Sequence, residues 1–221
     1  MSSRRRVALL AGSTGLIGRA LLALLLDSPQ YNRVHALVRR PPGDIAPHRK
    51  LQLNPVDFAN LPDPFYRSDD VYIALGTTIK LAGSKDAFRQ VDLHAVVNTA
   101  RAARAAGATR LAVVSALGAD PHSGVFYNRV KGEMQQAVAQ LGYESVVIAQ
   151  PSLLAGDRAA IGQPARAGEE WAMRLLRPVL GLVPRGVRPI EAQRVAAALL
   201  RATLDAQPGL RILSSREMQE A

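Results

Sequence analysis

The chain has 221 residues, 48% of them hydrophobic, with no cysteine and a formal charge of +10. This length and apolar content suit a single α/β domain with a sizeable core, and the missing cysteine excludes disulfides, thiolate chemistry and most structural zinc sites. The basic excess admits a polyanionic partner, but the arginines are scattered and aromatics are only 5%, so a nucleic-acid surface is not expected.

Taken in order, the segments alternate between two periods. VALLA (7–11) reads as a buried strand and LIGRALLALLLDS (16–28) as a helix. VHALVR (34–39), KLQLN (50–54) and DVYIAL (70–75) read as further strands. Ser84 caps a long Ala-rich helix that Gly107 ends. RLAVVSA (110–116) is a strand, 127–142 a helix, SVVIAQP (145–151) a strand, 191–206 a helix and LRILSS a last strand. Continuous apolar strands separated by helices predict a doubly wound parallel sheet, helices on both faces. The whole of 1–221 reads as one domain, with 155–190 an irregular, Pro-rich segment on the substrate side. Within it Trp171, Met173, Leu175 and Leu176 suit either core packing or a pocket wall. The basic, apolar start is broken by Gly12, Gly15, Gly18 and Arg19, and no run of eighteen apolar residues follows. A soluble cytoplasmic protein is expected.

Three glycines, at 12, 15 and 18, fall where the first strand turns into the first helix. A diphosphate over a helix N-terminus needs bare backbone amides nearby, and the helix must lie close on its strand, a role suited to Gly18. The spacing GxxGxxG points to a dinucleotide site. Nicotinamide sites selective for NAD place an acid at the end of the second strand, whereas Arg39 and Arg40 stand here. A guanidinium in that place attracts a 2′-phosphate, so NADP(H) is preferred over NAD(H). Tyr127 and Lys131 stand four apart at the head of a helix and share a side. A cation beside a phenol favours its ionised form and fits it for proton exchange. Ser115, ending the preceding strand, can hydrogen-bond a substrate oxygen. The four histidines show no ligand spacing, and Asp69 and Asp70 read as a strand-start turn, so no metal site is expected.

The stretches GSTGLIG, ALGTTIKLAGSKDAFRQVD, VVSALGADPHSGVFYNRVKGEM, QPSLLAG and RPIEAQRVA together resemble the short-chain dehydrogenase/reductase superfamily. More narrowly the chain is similar to its atypical branch, which holds the TIP30-like oxidoreductases and small sugar-epimerase-like reductases. The resemblance implies strand order 3-2-1-4-5-6-7 and a bound NADP(H). It implies that Gly12, Ser13, Thr14, Gly15, Leu16 and Ile17 line the diphosphate, and that Arg39 meets the adenosine phosphate. It places Asp57 and Phe58 beside adenine, Leu75, Gly76 and Thr77 along the cofactor, and Pro151, Ser152 and Leu153 by the nicotinamide. Ser115, Tyr127 and Lys131 match the catalytic trio. Ala116 and Gln150 depart from the family, which often has a second hydroxyl residue and an arginine there. Asp92 holds the place nearest to the helix asparagine of the family's proton relay, a role not given to Asn98.

The leading expectation is an NADP(H)-dependent oxidoreductase that moves hydride between nicotinamide and a carbonyl or alcohol. A non-catalytic NADP(H) sensor or regulator is the alternative, and nucleotide-sugar epimerase or dehydratase chemistry ranks lower, because only about seventy residues follow Pro151. The partner is a small carbonyl or alcohol substrate, and the protein a monomer or homodimer.

Overall fold

The computed structural model describes residues 5–155 and 188–220. Seven parallel strands form the main sheet: β1 (Arg6–Ala11), β2 (Tyr31–Val38), β3 (Leu51–Pro55), β4 (Asp70–Ile73), β5 (Arg110–Val114), β6 (Ser145–Gln150) and β9 (Gly209–Ser214). Their order is 3-2-1-4-5-6-9. The expected order stands, with β9 as the seventh strand, because β7 (Leu154–Ala155) and β8 (Ile190–Glu191) pair only with each other. The direction of winding reverses between β1 and β4, where open parallel sheets leave a crevice for ligands.

Each face of the sheet is covered as its apolar pattern requires. On one side lie α1 (Leu16–Asp27) and α6 (Ala192–Asp205), which bury Leu21, Leu25, Val195 and Leu199. A spacing of four residues puts these groups on a single stripe of each helix. On the other side α4 (Val96–Ala105) and α5 (Phe126–Ala139) bury Val96, Ala100, Val130 and Met134. Two short helices, α2 (Ile79–Ala82) and α3 (Lys85–Arg89), precede α4, and a last helix, α7 (Ser215–Glu220), follows β9. Burial of a fully enclosed leucine or valine contributes roughly 1.5–3 kcal/mol.

The long helix expected after Ser84 is continuous but not uniform. Ser84 accepts from Ala87 N–H at its start, and a π-helical turn, Gln90–Ala95, separates α3 from α4. Trp171, Met173, Leu175, Leu176 and most of 155–190 lie outside the described residues.

The amino ends of the strands are tied together by polar groups as well as by packing. Asp70, fully buried at the start of β4, receives Arg6 Nη2 at 2.5 Å, Arg6 Nε at 2.6 Å and the Tyr31 hydroxyl at 2.8 Å. Tyr31 and Tyr72 hydroxyls lie 2.8 Å apart. Burial is the largest cause that holds both phenols in their neutral form, well above the ordinary tyrosine range. Asp69 accepts from Val7 N–H. The adjacent acids are therefore a strand-start feature, as expected, and Asp70 is also the hub of a buried network. Asp70→Ala would orphan Arg6 and Tyr31 together and is expected to cost about 3 kcal/mol. Urea unfolding checks this, and a loss below about 1 kcal/mol would contradict the network's role.

Candidate functional site

Register brings several loops to one edge. Ala11 pairs with Leu37 of β2 and with Ile73 of β4, so Gly12 leaves the sheet level with Val38 and Ala74, and Arg39 follows Val38 at the same edge. The three glycines at this corner do different work. Gly12 has φ of +92°, and a Cβ on it would lie 2.5 Å from the Ala74 carbonyl oxygen. A Cβ on Gly18 would fall 1.8 Å from the Gly12 carbonyl oxygen, so that glycine lets α1 lie against the turn. Both are explained by packing inside the protein. Gly15 is not: its φ is an ordinary −79°, and a Cβ there would meet nothing closer than 3.6 Å.

What Gly15 keeps bare is the outer surface of the turn. Helix α1 begins there with no side-chain cap, leaving its first amides to an outside acceptor. Ser13 Oγ is buried in the same turn without a hydrogen-bond partner among the described residues. Arg19 braces the turn, donating to the Thr14 carbonyl at 3.2 Å and to Asp44 at 2.5 Å. An uncapped helix start, a buried orphan hydroxyl and a glycine unneeded by packing fit a diphosphate. Gly15→Ala is expected to fold with its melting temperature within a few degrees of the parent while dinucleotide affinity falls about tenfold or more. Gly18→Ala should instead be strongly destabilised. Thermal melts beside fluorescence titration separate the two, and equal behaviour of both variants would contradict the division of roles.

Arg39 and Arg40 follow β2 and are exposed. The next two acids along the chain are already engaged. Asp44 is held by Arg19, which keeps its carboxyl below the usual range, and Asp57 accepts from Ala59 N–H and Asn60 Nδ2 in its own turn. Phe58 is half-buried beside Asp57.

Across the edge lies the other half of the site. Lys131 and Asp92 form an ion pair at 2.7 Å, with only 4% and 1% of their side chains exposed. Asp92 Oδ1 meets the ammonium as an ion pair and has no well-angled hydrogen bond, while Oδ2 accepts from Thr77 N–H at 2.9 Å. The π-helical turn carries Asp92, and such turns recur at functional sites. A Cβ on Gly76 would come within 3.3 Å of Asp92 and 3.7 Å of Lys131. Leu75, Gly76 and Thr77 thus run past the ion pair. Burial alone would lower the Lys131 pKa, but the Asp92 charge and the neighbouring Tyr127 raise it, and the net direction is up. The ammonium is retained.

Tyr127, in the first turn of α5, is partly buried and tilts against the Phe88 ring at 5.5 Å. Tyr127 and Lys131 stand one turn apart on α5, and Tyr127 is among the groups that raise the lysine pKa. The Ser115 hydroxyl is not on either of them: it accepts from Gln135 Nε2 at 2.6 Å, and Gln135 Oε1 accepts from Gln150 Nε2 at 3.1 Å. Asn98 accepts from Arg101 near the surface. The Ser152 hydroxyl donates to the Arg188 carbonyl and accepts from Ser215, so it ties the β7–β8 pair to α7, with Pro151 buried beside it. Leu153 is exposed, and its carbonyl accepts from Ile190 N–H. His35 is buried, stacks on Tyr66 and contacts Asn54, with burial holding its pKa down. Among the described residues no cluster suits a metal ion. Sequence reasoning placed Asp92 near the relay but not on Lys131, and it gave Gln135 no role. A lone acid between apolar neighbours on a core helix was the available signal.

A family profile described as NAD(P)H-binding matches residues 12–153. The chain belongs to that family. A relative, the mitochondrial protein fmp52 of Aspergillus fumigatus, is 34% identical over 210 residues, 90% of this chain and 88% of its own. Among solved structures, MoeE5 in complex with UDP-glucose and NAD superposes with a TM-score of 0.69 at 17% identity, covering 96% of this chain and 79% of that one. The Bordetella bronchiseptica enzyme WbmG in complex with NAD gives 0.70 at 15%, covering 99% and 76%. At these identities the likeness is one of fold, a Rossmann-type parallel sheet covered by helices on both faces, and together with the NAD(P)H-binding family it is consistent with the atypical short-chain resemblance. The cytoplasmic expectation is overturned, because the fungal relatives are named as mitochondrial proteins. Lack of cysteine does not distinguish one reducing compartment from another. No described helix is long and apolar enough to cross a membrane.

With Asp92→Asn the buried ammonium would lose its counter-charge, and burial would then depress the folded-state Lys131 pKa below the unfolded value near 10.4. A folded pKa lowered in this way costs stability where lysine must be charged. The variant is expected to lose about 3 kcal/mol at pH 7, a deficit that shrinks as the pH rises towards 10.4. Urea unfolding at pH 7 and pH 10 checks this, and a deficit independent of pH would contradict the pairing.

Proposed function

We propose that the protein is an NADP(H)-dependent oxidoreductase of the short-chain type, acting on a carbonyl or alcohol through Ser115, Tyr127 and Lys131. The carrying observation is the buried Asp92–Lys131 pair, which holds a charged amine beside Tyr127 on the sheet edge that also carries the open glycine turn. A bound nicotinamide would supply or accept the hydride.

The chain's own groups do the rest. First-turn amides of α1 and the Ser13 hydroxyl would hold the diphosphate, and Gly15 keeps their approach clear. Arg39 and Arg40 would hold an adenosine 2′-phosphate, with Asp44 and Asp57 already engaged elsewhere. In carbonyl reduction Tyr127 would give its hydroxyl proton to the substrate oxygen, and in the reverse direction it would take that proton back. The Lys131 ammonium stabilises the phenolate left behind. Asp92 keeps that ammonium charged and in place. The whole of 1–221 is proposed to act as one catalytic unit.

Removing the proton donor should separate turnover from binding. Tyr127→Phe is expected to lose about 10²–10⁴-fold in kcat, with NADPH affinity within a few-fold of the parent. Arg39→Asp should move preference towards NADH. Steady-state kinetics on a carbonyl panel with equilibrium titration of both dinucleotides checks each. A parent protein that binds NADPH but reduces no member of the panel would favour the sensor instead, and unchanged preference in Arg39→Asp would remove the NADP assignment.

A further inference from the structure

Ser115 is buried to within 5% of full enclosure, and its Oγ is an acceptor in the one side-chain bond it makes among the described residues. The donor is Gln135, which continues the Tyr127–Lys131 face of α5 by one further turn. Gln135 presents its nitrogen to Ser115 because its oxygen is occupied by Gln150 Nε2, at the end of β6. Two facing amides can be ordered in only two ways. In the order seen, hydrogen-bond polarity runs from Gln150 through Gln135 into Ser115. One Ser115 lone pair is thereby filled, and the hydroxyl proton finds no acceptor among the described residues.

We propose that Gln150 and Gln135 are positioning residues, a two-amide relay that fixes Ser115 as a hydrogen-bond donor towards an oxygen of the substrate. This rests on reading Ser115, Tyr127 and Lys131 as the trio at which substrate binds. It narrows the substrate class. Two hydroxyl donors, Ser115 and Tyr127, suit an oxygen with two lone pairs, so an aldehyde or ketone fits, whereas an imine nitrogen offers only one. It also gives Gln150 a purpose in a place where the family often carries arginine. An arginine has donors only and could hold Gln135 in the same order, but it would bring a charge that the amide avoids. Each bond into the chain polarises the next and makes the Ser115 O–H a better donor.

The missing cysteine makes this testable without cofactor or turnover. In Ser115→Cys the new thiol is the chain's single one, and its ionisation can be followed by thiolate absorbance near 240 nm. A donor aimed at sulfur favours the thiolate. The thiol pKa of Ser115→Cys is therefore expected to lie about one unit below that of Ser115→Cys/Gln135→Met. Ser115→Cys/Gln150→Met should also lie above Ser115→Cys, because Gln135 is then free to turn its oxygen to the sulfur. This second pair reads the relay even if the Gln135 variant does not fold. A pKa that is unchanged or lower on removing either glutamine would overturn the proposal and indicate the reverse amide order. With the natural serine, Gln135→Met should lower kcat for an aldehyde or ketone about tenfold at constant NADPH affinity, and should have no further effect once Ser115→Ala is present. A supported thiol result in a protein that turns nothing over would keep the relay and remove the enzyme reading, so the two fail separately.

Discussion

A lysine buried against an aspartate is the constraint around which the proposed catalytic half of this structure is arranged. Either charge alone in that place would be expensive, and breaking such a pair typically costs 3–5 kcal/mol. Together they weld three segments that are distant in sequence. Asp92 comes from the π-helical turn, Lys131 from α5, and Thr77 from the loop after β4 donates its amide to the same carboxylate. Gly76 passes so close that a side chain there would press on the pair. The loop after β4 and the Lys131 amine are therefore held together through one carboxylate.

The opposite end of the sheet uses the same device for another purpose. Asp70 gathers Arg6 and Tyr31 where the strands begin, and its carboxylate is fully enclosed. Polar groups buried at the amino ends hold the strands in register, and polar groups at the carboxyl ends are left with unspent valence. Ser13 Oγ has no partner, the first amides of α1 lack a cap, and the Ser115 proton meets no acceptor among the described residues. That asymmetry distinguishes the candidate site's edge from the supporting one.

Much of this was legible from residue order. Apolar runs of strand length, broken by helices with capped or glycine-ended termini, specify a parallel sheet, and the sheet order follows the resemblance. Spacing of four put Tyr127 and Lys131 on one face of α5. Less visible were features that depend on contacts across the fold. Nothing local shows that Gly12 and Gly18 are dictated by backbone approach while Gly15 is not. A helix pattern between 84 and 106 does not reveal the π-helical turn at Gln90–Ala95, which lies in the backbone hydrogen bonding and not in the residue types. Gln135 looked like any helix-surface glutamine, and its meaning emerged only when Ser115 and Gln150 were found on either side of it. The compartment was read from absences, which carry no address.

A crystal structure of the protein grown with NADPH bears most directly on the central claim. The diphosphate should lie over the Gly15 turn within hydrogen-bond reach of the first amides of α1, the 2′-phosphate against Arg39, and the nicotinamide ribose against Lys131 Nζ with the Asp92 contact intact. Density for the dinucleotide elsewhere on the surface, or a Lys131 that abandons Asp92 and points away from the ribose, would contradict it.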